Sequence, residues 1–250
     1  MWTLDLDDAP PLWRWGDPAS GSVAAFTTRR GGVSAAPFDT LNLGRSTADR
    51  PEAVEENRRR VLAALGLDPA RLATAGQVHG ATLVEVDGPG HTPGCDALLT
   101  RTPGLALAVT TADCMPLVLT APGLVCAVHS GWRGTADGMP AVAARALFDR
   151  GARAEAITVH LGPCIRRCCY EVGEEVALRF PPECRVPSGD RWRLDLPLAA
   201  RLQLRDAGVE EARIHDTGAC TACERDVYFS HRRDGSPSGR QWAVAAVTAS

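Results

Sequence analysis

Three side chains with ligand or acid–base chemistry stand where apolar stretches of this 250-residue chain stop. His79 lies in Gln77-Val78-His79-Gly80, just ahead of a strand expected from residue 82. Cys114 lies in Ala112-Asp113-Cys114-Met115-Pro116, where one apolar run gives way to the next. His129 closes a third run and opens into Ser130-Gly131-Trp132-Arg133-Gly134. Polar side chains at strand ends can converge on one site, whereas mid-strand ones usually cannot. Two His and one Cys form a three-ligand set for zinc, with a fourth position open to water or substrate. With a weak axial ligand the same set suits copper. A metal-free arrangement uses the same residues, with Cys114 as nucleophile, His79 or His129 as base and Asp113 as the orienting carboxylate. Taken singly, a strand-end His is more often structural, and a Cys after a buried strand is more often a small core residue. Spacing leaves these alternatives open. His91 in a Pro/Gly loop, His160, His215 and His231 are assigned no role.

The elements that must position these groups follow from apolar periodicity. Leu105 to Thr111, Pro116 to Thr120 and Leu124 to His129 are near-continuous apolar runs, as expected of strands covered on both faces. Further strands are expected over Ser22 to Thr28, Thr82 to Val86, Ile157 to Leu161, Arg213 to Asp216 and Trp242 to Thr248. Helices are expected over Pro51 to Leu65, Gly138 to Arg150, Gly173 to Phe180 and Pro197 to Ala207. The first of these has Asp49 ahead of it as a cap, Pro in its first turn and Gly66 after its end. Val54, Val61, Leu62 and Leu65 share one of its faces, and the charged run Glu55 to Arg60 is expected to be solvated. Gly88 to Gly94 reads as loop. Strands and helices mix without a βαβ rhythm, a repeat or a linker. The expectation is a single α+β domain over residues 1–250, with mixed β-sheets flanked by helices.

Composition narrows the function. All 27 basic residues are Arg, so a P-loop lysine, a Schiff-base lysine and a kinase lysine are excluded. Net charge is −3 and aromatic content 5%, which leaves neither a basic footprint nor a stacking platform for nucleic acid. The start MWTLDLDDAPP is acidic where a secretory signal is basic, and no apolar run reaches the ~20 residues of a membrane span. A soluble, cytoplasmic protein with no membrane partner is expected. Nine cysteines cannot all pair, so they are read as reduced thiols. Cys220 and Cys223 make one CxxC, and Cys164, Cys168 and Cys169 crowd another stretch. A zinc ribbon needs two such knuckles, although Cys220 and Cys223 could join an outlying thiol or His231.

Eight motifs in order complete the reading: TRRGGVS (28–34), LNLG (41–44), QVHG (77–80), TADCMPLVL (111–119), AVHSGWRG (127–134), LGPCI (161–165), CYEVG (169–173) and FSHRRDG (229–235). Over residues 22–245 the chain resembles the laccase-domain family, also called multicopper polyphenol oxidoreductases and more recently purine nucleoside phosphorylases. The family usually has Ala at the position of Ser130 and commonly Tyr at that of His231. The resemblance implies that His79, Cys114 and His129 are metal ligands, with zinc as the metal and copper the alternative. It implies phosphorolysis of adenosine, inosine or methylthioadenosine to free base and (methylthio)ribose 1-phosphate, with adenosine deamination as a second activity. The partners are then purine nucleosides and phosphate.

Phosphorolysis needs a phosphate clamp, and Arg29, Asn42 and Arg133 are the candidates, with Arg30, Arg232 and Arg233 also in motif loops. For deamination Asp113 is a candidate proton carrier, although the H-x-E…P-C-x-x-C signature of zinc deaminases is absent. Six His in total argue against the several coppers of a multicopper oxidase in the monomer, whereas one copper could bind His79, Cys114 and His129, so a copper-binding polyphenol oxidase stays as an alternative. An amide- or peptidoglycan-cleaving hydrolase with Cys114 as nucleophile stays as a further alternative.

Overall fold

The computed structural model describes residues 2–15 and 21–248. In chain order the first half comprises β1 (Trp2–Leu4), β2 (Leu12–Trp15), β3 (Ser22–Thr27), α1 (Pro51–Ala64), β4 (Leu72–Gly76), β5 (Leu83–Glu85) and β6 (Gly90–Pro93). It continues with β7 (Ala97–Thr100), β8 (Ala106–Thr111), β9 (Met115–Ala121) and β10 (Leu124–Ser130). The second half comprises α2 (Trp132–Ala136), α3 (Met139–Phe148), β11 (Thr158–Leu161), β12 (Glu171–Val172), α4 (Glu174–Ala177) and β13 (Arg185–Ser188). β14 (Arg191–Leu194), α5 (Leu196–Asp206), β15 (Ile214–Asp216), α6 (His231–Asp234) and β16 (Gln241–Val247) follow.

The strands form a seven-stranded sheet in the order β1-β2-β3-β16-β8-β4-β6 and a six-stranded sheet in the order β15-β11-β9-β10-β7-β5. A small third sheet, β12-β14-β13, stands apart from both. Each large sheet mixes parallel and antiparallel pairs, so the α+β expectation holds.

Strand alternation explains why the apolar runs are continuous. On β8, Leu107 and Val109 meet Val118, Val125 and Ala127 of the other sheet, while Ala106 and Ala108 turn to the far side, with Val61 and Leu62 of α1. On β9 and β10, Leu117, Leu119, Cys126 and Val128 turn outward to meet Met139 and Leu147 of α3 and Leu204 of α5. The layers are therefore helix, sheet, sheet, helix, and the central strands β8, β9, β10 and β16 are covered on both faces. Each fully buried Leu or Met contributes roughly 1.5–3 kcal/mol to that packing.

Helix α1 has Pro51 in its first turn, and Gly66 in the left-handed region (φ 68°) lets Leu67 N–H return to the Leu62 carbonyl at 2.8 Å. Two details differ from expectation. Asp49 does not cap this helix; its carboxylate binds the Ser34 hydroxyl, the Asn42 amide and the Arg50 N–H instead. Arg58 is not solvated but buried, donating twice to the Leu43 carbonyl and covering the Trp242 ring. The helix expected over Gly173 to Phe180 shortens to Glu174–Ala177, ahead of Pro181 and Pro182. Within the loop expected at Gly88 to Gly94, Gly90–Pro93 pairs in parallel with β4.

The chain passes from one sheet to the other at two places that matter for chemistry. Gln77 to Thr82 leads from β4 in the seven-stranded sheet to β5 in the six-stranded one, and Ala112-Asp113-Cys114 leads from β8 to β9.

Candidate metal centre

His79 and Cys114 sit on those two crossovers, and His129 sits on the adjoining end of β10. On β10 it has the parity of Val125 and Ala127, whose side chains lie between the sheets. Their ligand atoms all lie within 4.8 Å of one another. The set grades from exposed His79 through half-buried Cys114 to buried His129, so it opens to solvent on one side. A metal with Zn–N near 2.0–2.1 Å and Zn–S near 2.3 Å would draw such donors to about 3.3–3.6 Å apart. The donor set fits a borderline-soft cation with one position left free.

Asp96 organises two of these three candidate ligands. It is fully buried and accepts from the backbone N–H of Val78 at 3.2 Å, of His79 at 2.9 Å and of Gly80 at 2.8 Å. It also takes His129 Nδ1 at 2.8 Å. The carboxylate can only accept, so the proton is assigned to Nδ1 and Nε2 is left as a donor to a metal. His79 stands at φ 63° and Asp113 at φ 83°, a region that costs most L-residues 1–2 kcal/mol. Hydrogen bonds from the backbone N–H groups of Val78, His79 and Gly80 to Asp96 hold the first, and hydrogen bonds from Thr221 and Arg232 hold the second. Gln77 adds a clamp, bonding both the N–H and the carbonyl of Thr110 at 2.8 Å.

Two glycines permit the approach of α2 to these loops. A Cβ on Gly131 would lie 2.9 Å from Cys114 Sγ and 3.5 Å from the His79 ring, and one on Gly134 would lie 2.7 Å from the Gly80 carbonyl. Any side chain at either position would push on the ligand loops.

Electrostatics agree with the geometry. Burial pushes the Cys114 thiol up, but the imidazoles of His129 and His79 more than reverse this and leave it at about 6. Burial pushes His129 down, and the Cys114 sulfur together with Asp96 carries it up to about 9. At neutral pH Cys114 is therefore a thiolate, the form that binds metals and attacks electrophiles.

A cleft of about 580 Å³ opens onto this centre. Besides the three ligands it is lined by Arg45, Arg58, His91, His231 and Arg240. Arg58 is 5% exposed, and its Nη1 makes no hydrogen bond among the described residues, where its nearest carboxylate oxygen, on Glu55, is 3.9 Å away. Burial lowers its pKa to about 10, still fully cationic at neutral pH. A smaller, apolar cavity of about 140 Å³ lies on the other side of Cys114, bounded by Trp132, Ile165, Tyr170 and Leu196 and shared with His231.

The other candidates from the sequence fall elsewhere. Arg29 binds the carbonyl and carboxylate of Asp39 and stacks on Phe229, in a separate surface depression with Arg30. Asn42 is fully buried and holds the Gly44 and Arg240 N–H groups, so it shapes the cleft wall from behind. Arg133 is exposed and lies over the Trp132 ring. Arg233 is engaged by Asp234 and the carbonyls of Thr221 and Tyr228, whereas Arg232 borders the small cavity and reaches the Glu171 carbonyl. Asp113 is buried with both carboxylate oxygens engaged, one by the Thr221 hydroxyl and one by the Arg232 N–H, each at 2.6 Å. Asp96 and Arg240 stand in no motif that marks them in the sequence, Arg58 reads there as part of a solvated helix face, and His91 as a loop residue without a role. Asp96 left one trace, an acidic residue directly ahead of the apolar Ala-Leu-Leu of β7.

Comparison with known proteins follows this architecture closely. The profile of the family described as multi-copper polyphenol oxidoreductase laccase matches residues 23–248. A purine nucleoside phosphorylase of Deinococcus radiodurans is 44% identical over 229 residues, covering 89% of this chain and 88% of its own. The purine nucleoside phosphorylase YlmD of Geobacillus stearothermophilus is 40% identical over 247 residues, covering 90% of each. The crystal structure of YlmD from that organism superposes with a TM-score of 0.91 at 37% identity, covering 97% of this chain and 98% of its own.

Proposed function

The chain belongs to the family of multi-copper polyphenol oxidoreductase laccases, and from that premise we propose that it is a zinc-dependent purine nucleoside phosphorylase. Its substrates are adenosine, inosine or methylthioadenosine together with inorganic phosphate. A phosphate oxygen forms the new bond to C1′ as the C1′–N9 bond breaks, and the purine leaves with the bonding pair and a proton. The observation that carries this reading is the union, in one cleft, of a His/Cys/His set with a buried, incompletely satisfied arginine. Relatives at about 40% identity carry the phosphorylase name, which supports the same chemistry.

The roles divide along the cleft. Arg58 and Arg240, both largely desolvated, hold the phosphate dianion, where a charge-assisted bond is stronger than in water. Arg45 at the rim, paired with Glu55, draws the anion in. His79, Cys114 and His129 are assigned as the zinc ligands, and zinc when bound would polarise or orient a substrate hydroxyl. His231, which borders both cavities, is assigned to give the leaving base its proton. Asp113, fixed by two hydrogen bonds, is assigned to positioning Cys114.

Adenosine turnover with and without phosphate, resolved by chromatography, tests this on the wild type and on Cys114→Ala with metal content recorded. Adenine and ribose 1-phosphate should form only with phosphate, and both should vanish with the metal in the variant. Inosine formed without phosphate would identify deamination instead.

A second reading has a specific observation behind it. Cys114, His129 and Asp96 stand in the order nucleophile, base and orienter, which is the arrangement of a thiol hydrolase. Added zinc would inhibit that enzyme and would support the phosphorylase.

A further inference from the structure

Four cysteines that take no part in this centre gather on the other side of the Asp113 turn. Cys168 and Cys169 occupy a tight turn after β11, in which the N–H groups of Cys169 and Tyr170 both return to the Arg166 carbonyl at 2.8 Å. Cys220 and Cys223 occupy the turn after β15. The parallel pairing of β11 with β15, continued by a bridge between Cys164 and Cys220, brings the two turns together. Sulfur separations are 3.6 Å for Cys168 to Cys220, 3.6 Å for Cys168 to Cys223 and 3.3 Å for Cys169 to Cys223. All four sulfurs lie within 4.8 Å of one another, and none is bonded to another.

We infer that Cys168, Cys169, Cys220 and Cys223 form a second metal site, a closed tetrathiolate that binds zinc for structure and not for catalysis. The edge of a tetrahedron with Zn–S of 2.3 Å is about 3.8 Å, close to the observed separations and far from the ~2.05 Å of a disulfide. Four thiols leave no open position, which is the mark of a structural site.

Two independent features suit a thiolate cluster. The backbone N–H groups of Arg166, Ala222 and Cys223 are directed at the Cys220 sulfur, as a CxxC knuckle requires. Zinc with four thiolates carries a net charge of −2, and two guanidinium groups flank it. Arg166, ion-paired with Asp216, donates to the Ala219 carbonyl at 3.1 Å, and Arg193, ion-paired with Glu171, donates to the Cys168 carbonyl, so each brings a guanidinium beside the cluster whose charge it shares with a carboxylate.

The site would also have something to hold. Its first turn follows Ile165, whose N–H binds the Asp113 carbonyl at 3.0 Å, and precedes Tyr170, which walls the small cavity. Its second turn carries Thr221, whose hydroxyl binds the Asp113 carboxylate at 2.6 Å. One clip therefore fixes both segments that lock the Cys114 crossover.

The test is metal stoichiometry by elemental analysis on the full chain, purified under reducing conditions with zinc supplied. Wild type should hold two zinc ions per chain, Cys168→Ser/Cys223→Ser one, and Cys114→Ala one. Cobalt substituted into Cys114→Ala should show the intense visible bands and sulfur-to-metal charge transfer of a tetrahedral tetrathiolate. If the double variant fails to fold, alkylation of the wild type decides, since bound zinc should shield the peptides holding these four thiols until a chelator is added. A zinc content unchanged by the double substitution overturns the inference. So does equal alkylation of these thiols with and without zinc, or a Cys169–Cys223 disulfide that persists in place of metal binding under reducing conditions.

Discussion

His129 Nδ1 lies 2.8 Å from Asp96 Oδ1, and the same oxygen accepts the backbone N–H of His79 at 2.9 Å. One buried carboxylate thus sets the tautomer of one ligand and the loop that carries another. Asp96→Asn keeps the size and removes one acceptor oxygen and the charge. Metal affinity should fall 10–100-fold, as for other groups that orient a ligating imidazole. Competition with a chromophoric chelator measures this; an affinity within twofold of wild type would show that Asp96 serves the loop alone.

Gly131→Ala tests the close approach of α2. Its φ of −72° suits any residue, so the backbone is not strained. The added methyl would meet Cys114 Sγ at 2.9 Å, which demands movement of the ligand or of the helix. Metal occupancy should drop at least tenfold while the melting temperature of metal-free protein changes by a few degrees. Calorimetry beside elemental analysis separates the two effects.

Arg58→Met keeps an unbranched apolar stem but removes the guanidinium, and with it the charge and the cation–π contact over the Trp242 ring. On the phosphorylase reading KM for phosphate should rise at least tenfold, with KM for the nucleoside changed by less than threefold. Steady-state kinetics varying each substrate in turn gives both numbers. Equal effects on the two would assign Arg58 to holding the Leu43 loop.

His160 predicts acid sensitivity remote from the metal centre. It is fully buried against Trp2 and Trp15, near His215, and neither ring nitrogen has a hydrogen-bond partner among the described residues. Burial, then the neighbouring His215, lowers its pKa to about 3. Folding therefore expels a proton that the unfolded chain binds below about pH 6.5. Stability should fall as pH drops through the window from 6.5 towards 3, by about 2 kcal/mol at pH 5. His160→Leu should match or exceed wild type at pH 7 and lose less between pH 7 and 5 in denaturant titrations.

Much of this was legible in the sequence, and the failures have physical causes. β8, β9 and β10 could be read because burial on both faces forces unbroken apolar runs. β4 (Leu-Ala-Thr-Ala-Gly) and β6 (Gly-His-Thr-Pro) could not, because they pair through their backbones and their small or polar side chains leave no pattern. The His/Cys/His set was visible because Cys114 and His129 border legible strands and His79 stands just ahead of the strand expected at residue 82. Arg58 was misjudged because residue type suggests a solvated face, whereas its actual place depends on Leu43 and Trp242. The four-thiol cluster was hidden because its halves lie about fifty residues apart and meet only through the register of β11 on β15.

The last strand is not at an edge. β16 fills the gap between β3 and β8, hydrogen-bonded to both, and its parity places Ala243 and Ala245 in the layer between the sheets. During synthesis the ribosome therefore emits all three triad ligands long before the sheet beside them can close. From residue 130 until residue 247 emerges, the nascent chain exposes the unpaired edges of β3 and β8, a template for strand addition by another chain.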